Sequence, residues 1–211
     1  MTYYKLIDAL NFGEIVKREN GKCYTFCYGP DVWIRSAIMV RYDWPDDTLY
    51  EQYMIISQKK AEELIEQQKE KFNKLLVLAI EVATNAHEGQ YDKGGRSYIN
   101  HPKAVADSLD STEQKIVAYL HDVCEDTSVS FDNLLEMGFT ERIVNSIRLL
   151  TKSDDVPYEE YIKSIKKDSN AWHVKMADLK HNMDLSRIIN PTQKDYERVE
   201  KYKKALEFLE N

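Results

Sequence analysis

Residues 61–87 read AEELIEQQKEKFNKLLVLAIEVATNAH, and at this stretch the chain changes character. Leu64, Phe72, Leu75, Leu76, Ala79, Ile80 and Ala83 recur at a spacing near 3.6 residues, which puts them on one stripe of a helix. Ser57 just upstream suits an N-cap, because its hydroxyl can accept from the free N–H groups of a first turn. The helical pattern continues downstream. A loop, GQYDKGGRSYIN (89–100), leads into HPKAVADSL (101–109), where Pro102 suits a first turn. Further helices are expected at 112–124, 131–137, 140–151, 157–167, 171–183 and 192–210, joined by short polar connections. Residues 58–211 therefore read as an all-helical bundle, in which side chains from several helices can converge on one internal site.

Upstream of Ser57 the pattern is different. Seven of the 14 tyrosines and two of the three tryptophans precede residue 54, among turn signals at Asn20-Gly21, Gly29-Pro30-Asp31 and Pro45-Asp46-Asp47. EIVKRENGKCYTFCY (14–28) reads as a hairpin, since Asn-Gly tolerates the positive φ angles of a two-residue turn. VWIRSAIMVRY (32–42) and LYEQYMIIS (49–57) read as two more strands. The expected class is mainly α: a helical bundle preceded by a small antiparallel β region, with residues 1–57 as an accessory region whose default role is packing or a partner surface.

With 43% hydrophobic and 31% charged residues in 211, the composition is globular and supports one domain, or one domain with an appendage. A formal charge of −7 argues against binding bulk nucleic acid, which needs a dense basic surface. The N-terminus lacks the basic-then-apolar pattern of a signal peptide, and no apolar run has the length of a membrane helix, so a cytoplasmic location is expected. Cys23, Cys27 and Cys124 form no paired zinc pattern, and an odd count disfavours a disulfide framework; buried thiols are the default.

The chemistry concentrates in AYLHDVCEDT (118–127). His121, Asp122, Glu125 and Asp126 crowd into six positions directly after the apolar Ile116, Val117, Tyr119 and Leu120. A buried face cannot hold three carboxylates without a cation, so a bound metal is the economical expectation. Two other places stand out: His101, at the start of a helix in SYINHPKAVA (97–106), and Asp178, among apolar positions in WHVKMADLKHNMDLS (172–186). Each alone is usually a cap or a satisfied polar group. Together, two imidazoles and two carboxylates supply ligands suited to Mn²⁺, Fe²⁺ or Zn²⁺. Lys93, Lys103, Lys175, Lys180, Arg96 and Arg187 are candidates for holding phosphates. His87, His173, His181 and Cys124 take the structural role first.

A separate His, then His-Asp, then a distant Asp is similar to the pattern of the HD-domain phosphohydrolases. AHEGQ, YINHPKAVA, AYLHDVCEDT and VKMADLKHNM together resemble the hydrolase domain of the RelA/SpoT family and its small stand-alone relatives, over about residues 70–210. The resemblance implies a metal-dependent 3′-pyrophosphohydrolase of guanosine-3′,5′-bis(diphosphate). His101, His121, Asp122 and Asp178 would be ligands of one Mn²⁺ or another divalent transition metal, and Glu125 and Asp126 the catalytic acids that orient or deprotonate the attacking water. Lys93 and Asn182 would contact substrate. The implied partner is a small nucleotide, with no bulk nucleic acid and no membrane, and the oligomeric state is left open. No stretch after the bundle is long enough for a synthetase region, so hydrolysis alone is expected. Asp92 stands where the family commonly has an arginine that grips guanine, with Arg96 or Tyr91 as possible substitutes. Two alternatives therefore stay open: an HD-domain hydrolase of another nucleotide phosphate, and a non-catalytic nucleotide-binding regulatory protein.

Overall fold

A computed structural model describes residues 1–8, 11–43, 52–153 and 155–211. The chain divides into two compact units, Met1–Lys74 and Leu75–Asn211.

The first unit holds an antiparallel sheet of β1 (Thr2–Leu6), β2 (Ile15–Glu19), β3 (Lys22–Cys27), β4 (Val32–Arg35) and β5 (Tyr53–Ile56), in the order β4-β3-β2-β1-β5. Asn20 (φ 50°) and Gly21 (φ 73°) make the turn between β2 and β3, which sets the Glu19↔Lys22 register. That register directs Val16 inward beside Tyr4 and Leu6 of β1, over Met39 and Tyr42. The strand expected over 32–42 ends at Arg35. Ser36 Oγ accepts from the Ile38 N–H at 3.1 Å, and Ile38–Arg41 forms a 3-10 turn that seats Met39 under the sheet, a burial that an extended chain would not give. The expected turn at 45–47 and the start of the strand expected over 49–57 lie outside the described residues. Cys23 and Cys27 are half-buried, and no cysteine is in a disulfide.

The helix α1 (Gln58–Ala86) begins where Ser57 Oγ accepts from the Lys60 N–H at 3.2 Å, and the boundary between the units falls within it. Its buried residues are Ala61, Ile65, Phe72, Leu75, Ala79 and Ala83; Ile80, expected on the stripe, is 39% exposed because it lies 100° round from Ala79. The second unit continues with α2 (Asn100–Asp107), α3 (Thr112–Leu120), α4 (Val123–Asp126), α5 (Phe131–Glu136), α6 (Glu141–Leu150), α7 (Tyr158–Ile165), α8 (Ser169–Met183) and α9 (Gln193–Glu210). Side-chain caps start several of these helices: Ser130 with Asn133 on α5, Thr140 on α6 and Asp168 on α8. Every residue from Ile116 to Leu120 is buried, so α3 is the central helix, packed by α2, α6 and α8. Among the described residues, no helix is long and apolar enough to cross a membrane.

The helix expected over 112–124 is interrupted at the His-Asp pair. Nδ1 of His121 lies 2.7 Å from the Ala118 carbonyl, so the side chain takes up an acceptor that the continuing helix would use. α3 ends at Leu120, α4 starts at Val123, and His121 and Asp122 occupy the corner between them.

Candidate metal centre and substrate cavity

Two helices and one corner bring the candidate ligands together. His101 comes from the first turn of α2, His121 and Asp122 from the α3–α4 corner, and Asp178 from the middle of α8. His101, His121 and Asp178 are buried, with one ligand atom of each within 4.8 Å of the others. Nε2 of His101 lies 3.2 Å from Asp178 Oδ1 and 3.5 Å from Asp122 Oδ2, and Nε2 of His121 lies 3.1 Å from Asp122 Oδ2 and 3.8 Å from Asp178 Oδ1.

The arrangement fits a metal ion. A carbonyl can only accept, so His121 Nδ1 carries the proton that faces Ala118, which leaves Nε2 as the ring atom that could bind a metal. That atom is buried and makes no hydrogen bond. Burial alone would lower the His121 pKa, but Asp122 and Asp178 outweigh it and hold it well above the ordinary histidine value. The pocket thus demands positive charge, and two nitrogens with carboxylate oxygens are a donor set for a divalent transition metal.

Surrounding side chains fix this set. His101 Nδ1 lies 2.7 Å from His181 Nδ1, and one proton must lie between them. Burial, followed by Arg187 and His101, lowers the His181 pKa to about 4, so His181 is neutral. Tyr98 donates its hydroxyl to Asp122 Oδ2 at 2.6 Å. Lys175 Nζ lies 2.8 Å from Asp178 Oδ2, and Asn182 Nδ2 donates to Asp178 Oδ1 at 2.5 Å. Burial disfavours charge on both Asp178 and Lys175, yet each keeps the other ionised: the Asp178 pKa is held well below the usual range and the Lys175 pKa well above it.

Glu125 and Asp126 line the same cavity, one turn past the candidate ligands. Burial raises both carboxyl pKa values; Asp122 and Asp126 add to the effect on Glu125, and Asp122 adds to it on Asp126. A carboxylate raised in this way is a better proton acceptor near neutral pH. Glu125 Oε2 is steadied by the Lys152 backbone N–H at 3.1 Å. Gln90 Nε2 donates to the Asp126 carbonyl at 3.3 Å, and the His87 Nδ1 pairs with Gln90 Oε1 at 2.8 Å, which places His87 behind the acids.

The cavity measures 470 Å³. Of the six basic residues expected to hold phosphates, Lys93, Lys175 and Arg187 line it. Lys103 instead pairs with Asp107 and Lys180 with Glu210, both at exposed positions, and Arg96 is exposed in the loop. Lys93 is bound to Asp195 at 3.0 Å. Sequence reasoning missed Tyr98, Lys152, Arg198 and Lys201, which also line the cavity. Tyr98 lies inside a quoted motif, three residues before His101, and that spacing was the available signal. Lys152, Arg198 and Lys201 carried none, because solvated lysines and arginines look the same in sequence. Burial pushes the Cys124 thiol up to about 11, which leaves it un-ionised and suits a structural residue.

No protein-family model matches the chain. It is 30% identical over 128 residues to the bifunctional (p)ppGpp synthase/hydrolase SpoT of Escherichia coli (strain K12), an alignment covering 54% of this chain and 18% of that protein. It is 32% identical over 127 residues to the guanosine-3′,5′-bis(diphosphate) 3′-pyrophosphohydrolase of Haemophilus influenzae, covering 54% of this chain and 19% of the relative. The chain resembles the SpoT-type (p)ppGpp hydrolases. It spans less than a fifth of the length of these curated relatives. Among solved structures, a metazoan ortholog of SpoT that hydrolyses ppGpp shares the fold, with a TM-score of 0.54 and 24% identity over 64% of this chain and 84% of that one. The mainly helical class with a small antiparallel N-terminal sheet is the architecture present.

Proposed function

We propose that the chain is an HD-domain hydrolase that removes pyrophosphate from the 3′ position of guanosine-3′,5′-bis(diphosphate), with residues 58–211 as the hydrolase and residues 1–57 as an accessory region. The observation that carries this reading is the buried Nε2 of His121, which makes no hydrogen bond and is set between two carboxylates and a second imidazole beside a cavity that also holds Glu125 and Asp126. The relatives named as (p)ppGpp pyrophosphohydrolases supply the substrate class.

His101, His121, Asp122 and Asp178 hold one divalent ion, Mn²⁺ by preference. When bound, such an ion neutralises phosphoryl oxygens and makes water a competent nucleophile at neutral pH. Glu125 and Asp126 orient the attacking water and take its proton. Water attacks the phosphorus carried by the 3′ oxygen, the bond from phosphorus to that oxygen breaks, and the protonated acid returns its proton to the ribose. The products are GDP, or GTP from the pentaphosphate, and pyrophosphate. Lys93 and Asn182 contact the substrate, and Lys175 keeps Asp178 ionised. The partner is thus a small nucleotide, handled in the cytoplasm, with neither bulk nucleic acid nor membrane involved.

The test is turnover of ppGpp by metal-stripped protein reloaded with Mn²⁺, following GDP and pyrophosphate together. Release of both in equal amounts supports the reading. Silence from protein shown to contain the metal rejects it.

A further inference from the structure

The cavity wall built by the loop before α2 is neutral, although it is rich in hydrogen-bond donors. Asp92 Oδ1 accepts from the backbone N–H groups of Gly94 and Arg96, each at 2.9 Å, while Oδ2 lies 3.4 Å from Nη1 of Arg187. Arg187 donates through Nη2 to the His181 carbonyl at 3.1 Å. The two side chains are only 12% and 17% exposed. The Nε–H of Arg187 is buried and has no acceptor. Gly94 fits so tightly here that a Cβ would lie 2.3 Å from the Arg187 carbonyl oxygen. Loop and arginine are therefore one unit, and the acid in the loop is spent on holding the arginine.

Elsewhere in the cavity the balance is different. Among the described residues, neither Lys152 nor Lys201 has a carboxylate within ion-pair distance, and Lys201 Nζ stands 3.6 Å from the Tyr158 ring centroid. Burial, then the positive charges of Lys152 and Lys175, push the Lys201 pKa down. A phosphate seeks net positive charge. A nucleobase is neutral and seeks donors in a fixed plane, which a guanidinium already balanced by a carboxylate supplies.

We propose that Arg187, clasped by Asp92, is the specificity-determining residue of the cavity and offers the Nη hydrogens that Asp92 and His181 leave over to acceptor atoms of a purine base, while Lys152 and Lys201 face the phosphates. The proposal rests on the nucleotide-hydrolase reading above.

The test is equilibrium binding of GDP, ADP and pyrophosphate to the full-length Mn²⁺-loaded protein by calorimetry. GDP and ADP carry the same phosphates, and pyrophosphate carries no base. The unmodified protein should prefer GDP over ADP by about 10-fold or more, the scale of one good base contact. Arg187→Ala should erase that preference, weaken GDP by about 10- to 100-fold, and leave pyrophosphate within about twofold. Arg187→Lys, which can still pair with Asp92 but lacks the planar fork, should lose the preference as well. Asp92→Asn keeps the turn through Oδ1 but unmasks the arginine charge, so pyrophosphate should bind more tightly. Equal weakening of pyrophosphate and GDP by Arg187→Ala would make this a phosphate contact and overturn the proposal. So would unchanged GDP binding. Because the readout is binding, absence of ppGpp turnover by the unmodified protein would reject the proposed reaction without deciding this point.

Discussion

Replacing Lys175 with methionine removes an ammonium 2.8 Å from Asp178 Oδ2 and keeps most of the stem. At an effective dielectric of about 20, a pair at that distance gains about 6 kcal/mol of gross Coulomb energy, part of which offsets desolvation of the two groups. Removing one partner of a buried pair costs about 3–5 kcal/mol, because the other charge is left uncompensated. For a chain of this length each kcal/mol moves the Tm by about 2–4 °C, so metal-free Lys175→Met should melt about 6–20 °C lower at pH 7.5. Two dependences identify the cause. A bound divalent cation restores positive charge beside Asp178, so saturating Mn²⁺ should recover most of the loss. Asp178 has a depressed pKa in the folded protein, so its contribution is present above the unfolded value and lost as pH falls through the folded one. The variant lacks the cation that depresses it, so the gap between the two proteins should be wide at pH 7 and narrow as pH falls toward 4 and below. Differential scanning fluorimetry across pH, with and without Mn²⁺, reads both. A Tm loss that ignores pH and metal alike would refute the charge argument and leave only packing.

His121→Ala and Asp122→Ala should each abolish pyrophosphate release and metal retention; turnover at the unmodified rate would reject the ligand assignment. Tyr98→Phe removes the hydroxyl donated to Asp122 and should weaken Mn²⁺ binding about 10- to 100-fold in a chelator competition, with the Tm of the metal-free protein little changed. Because burial raises the Glu125 and Asp126 pKa values, kcat/KM should fall as pH drops through those raised values and the acids lose their negative form. Asp126→Asn should cost about 10²- to 10⁴-fold in rate and flatten that acid limb. Gly94→Ala drives a methyl into the Arg187 carbonyl and should raise KM far more than it lowers the Tm, since the displaced loop carries Lys93 but little of the core.

The sequence by itself determined most of the helices, the neighbourhoods of the strands downstream of Gly13 and the inventory of reactive groups, but not strand β1 (Thr2–Leu6). Periodicity near 3.6 in 61–87 marks a helix wherever it packs, and Asn20-Gly21 marks a tight turn, because both follow from local sterics and from which residues can share a face. The motifs around His101, His121 and Asp178 singled out three residues that the fold gathers into one buried cluster. The break in the helix at His121 was not legible, because it depends on a side chain competing for the Ala118 carbonyl. Nor was the 3-10 turn at Met39, which exists to fill a space beneath a sheet. Only the tertiary structure decided which cations serve the cavity. Lys103 and Lys180 resemble Lys152 and Lys201 as letters, but the first two meet carboxylates at the surface and the last two meet the cavity. Asp92 looked like a defect in a binding loop until Arg187, 95 residues away along the chain, proved to be its partner. Local preference acts over a few residues, whereas charge compensation and cavity shape depend on segments that only folding brings together.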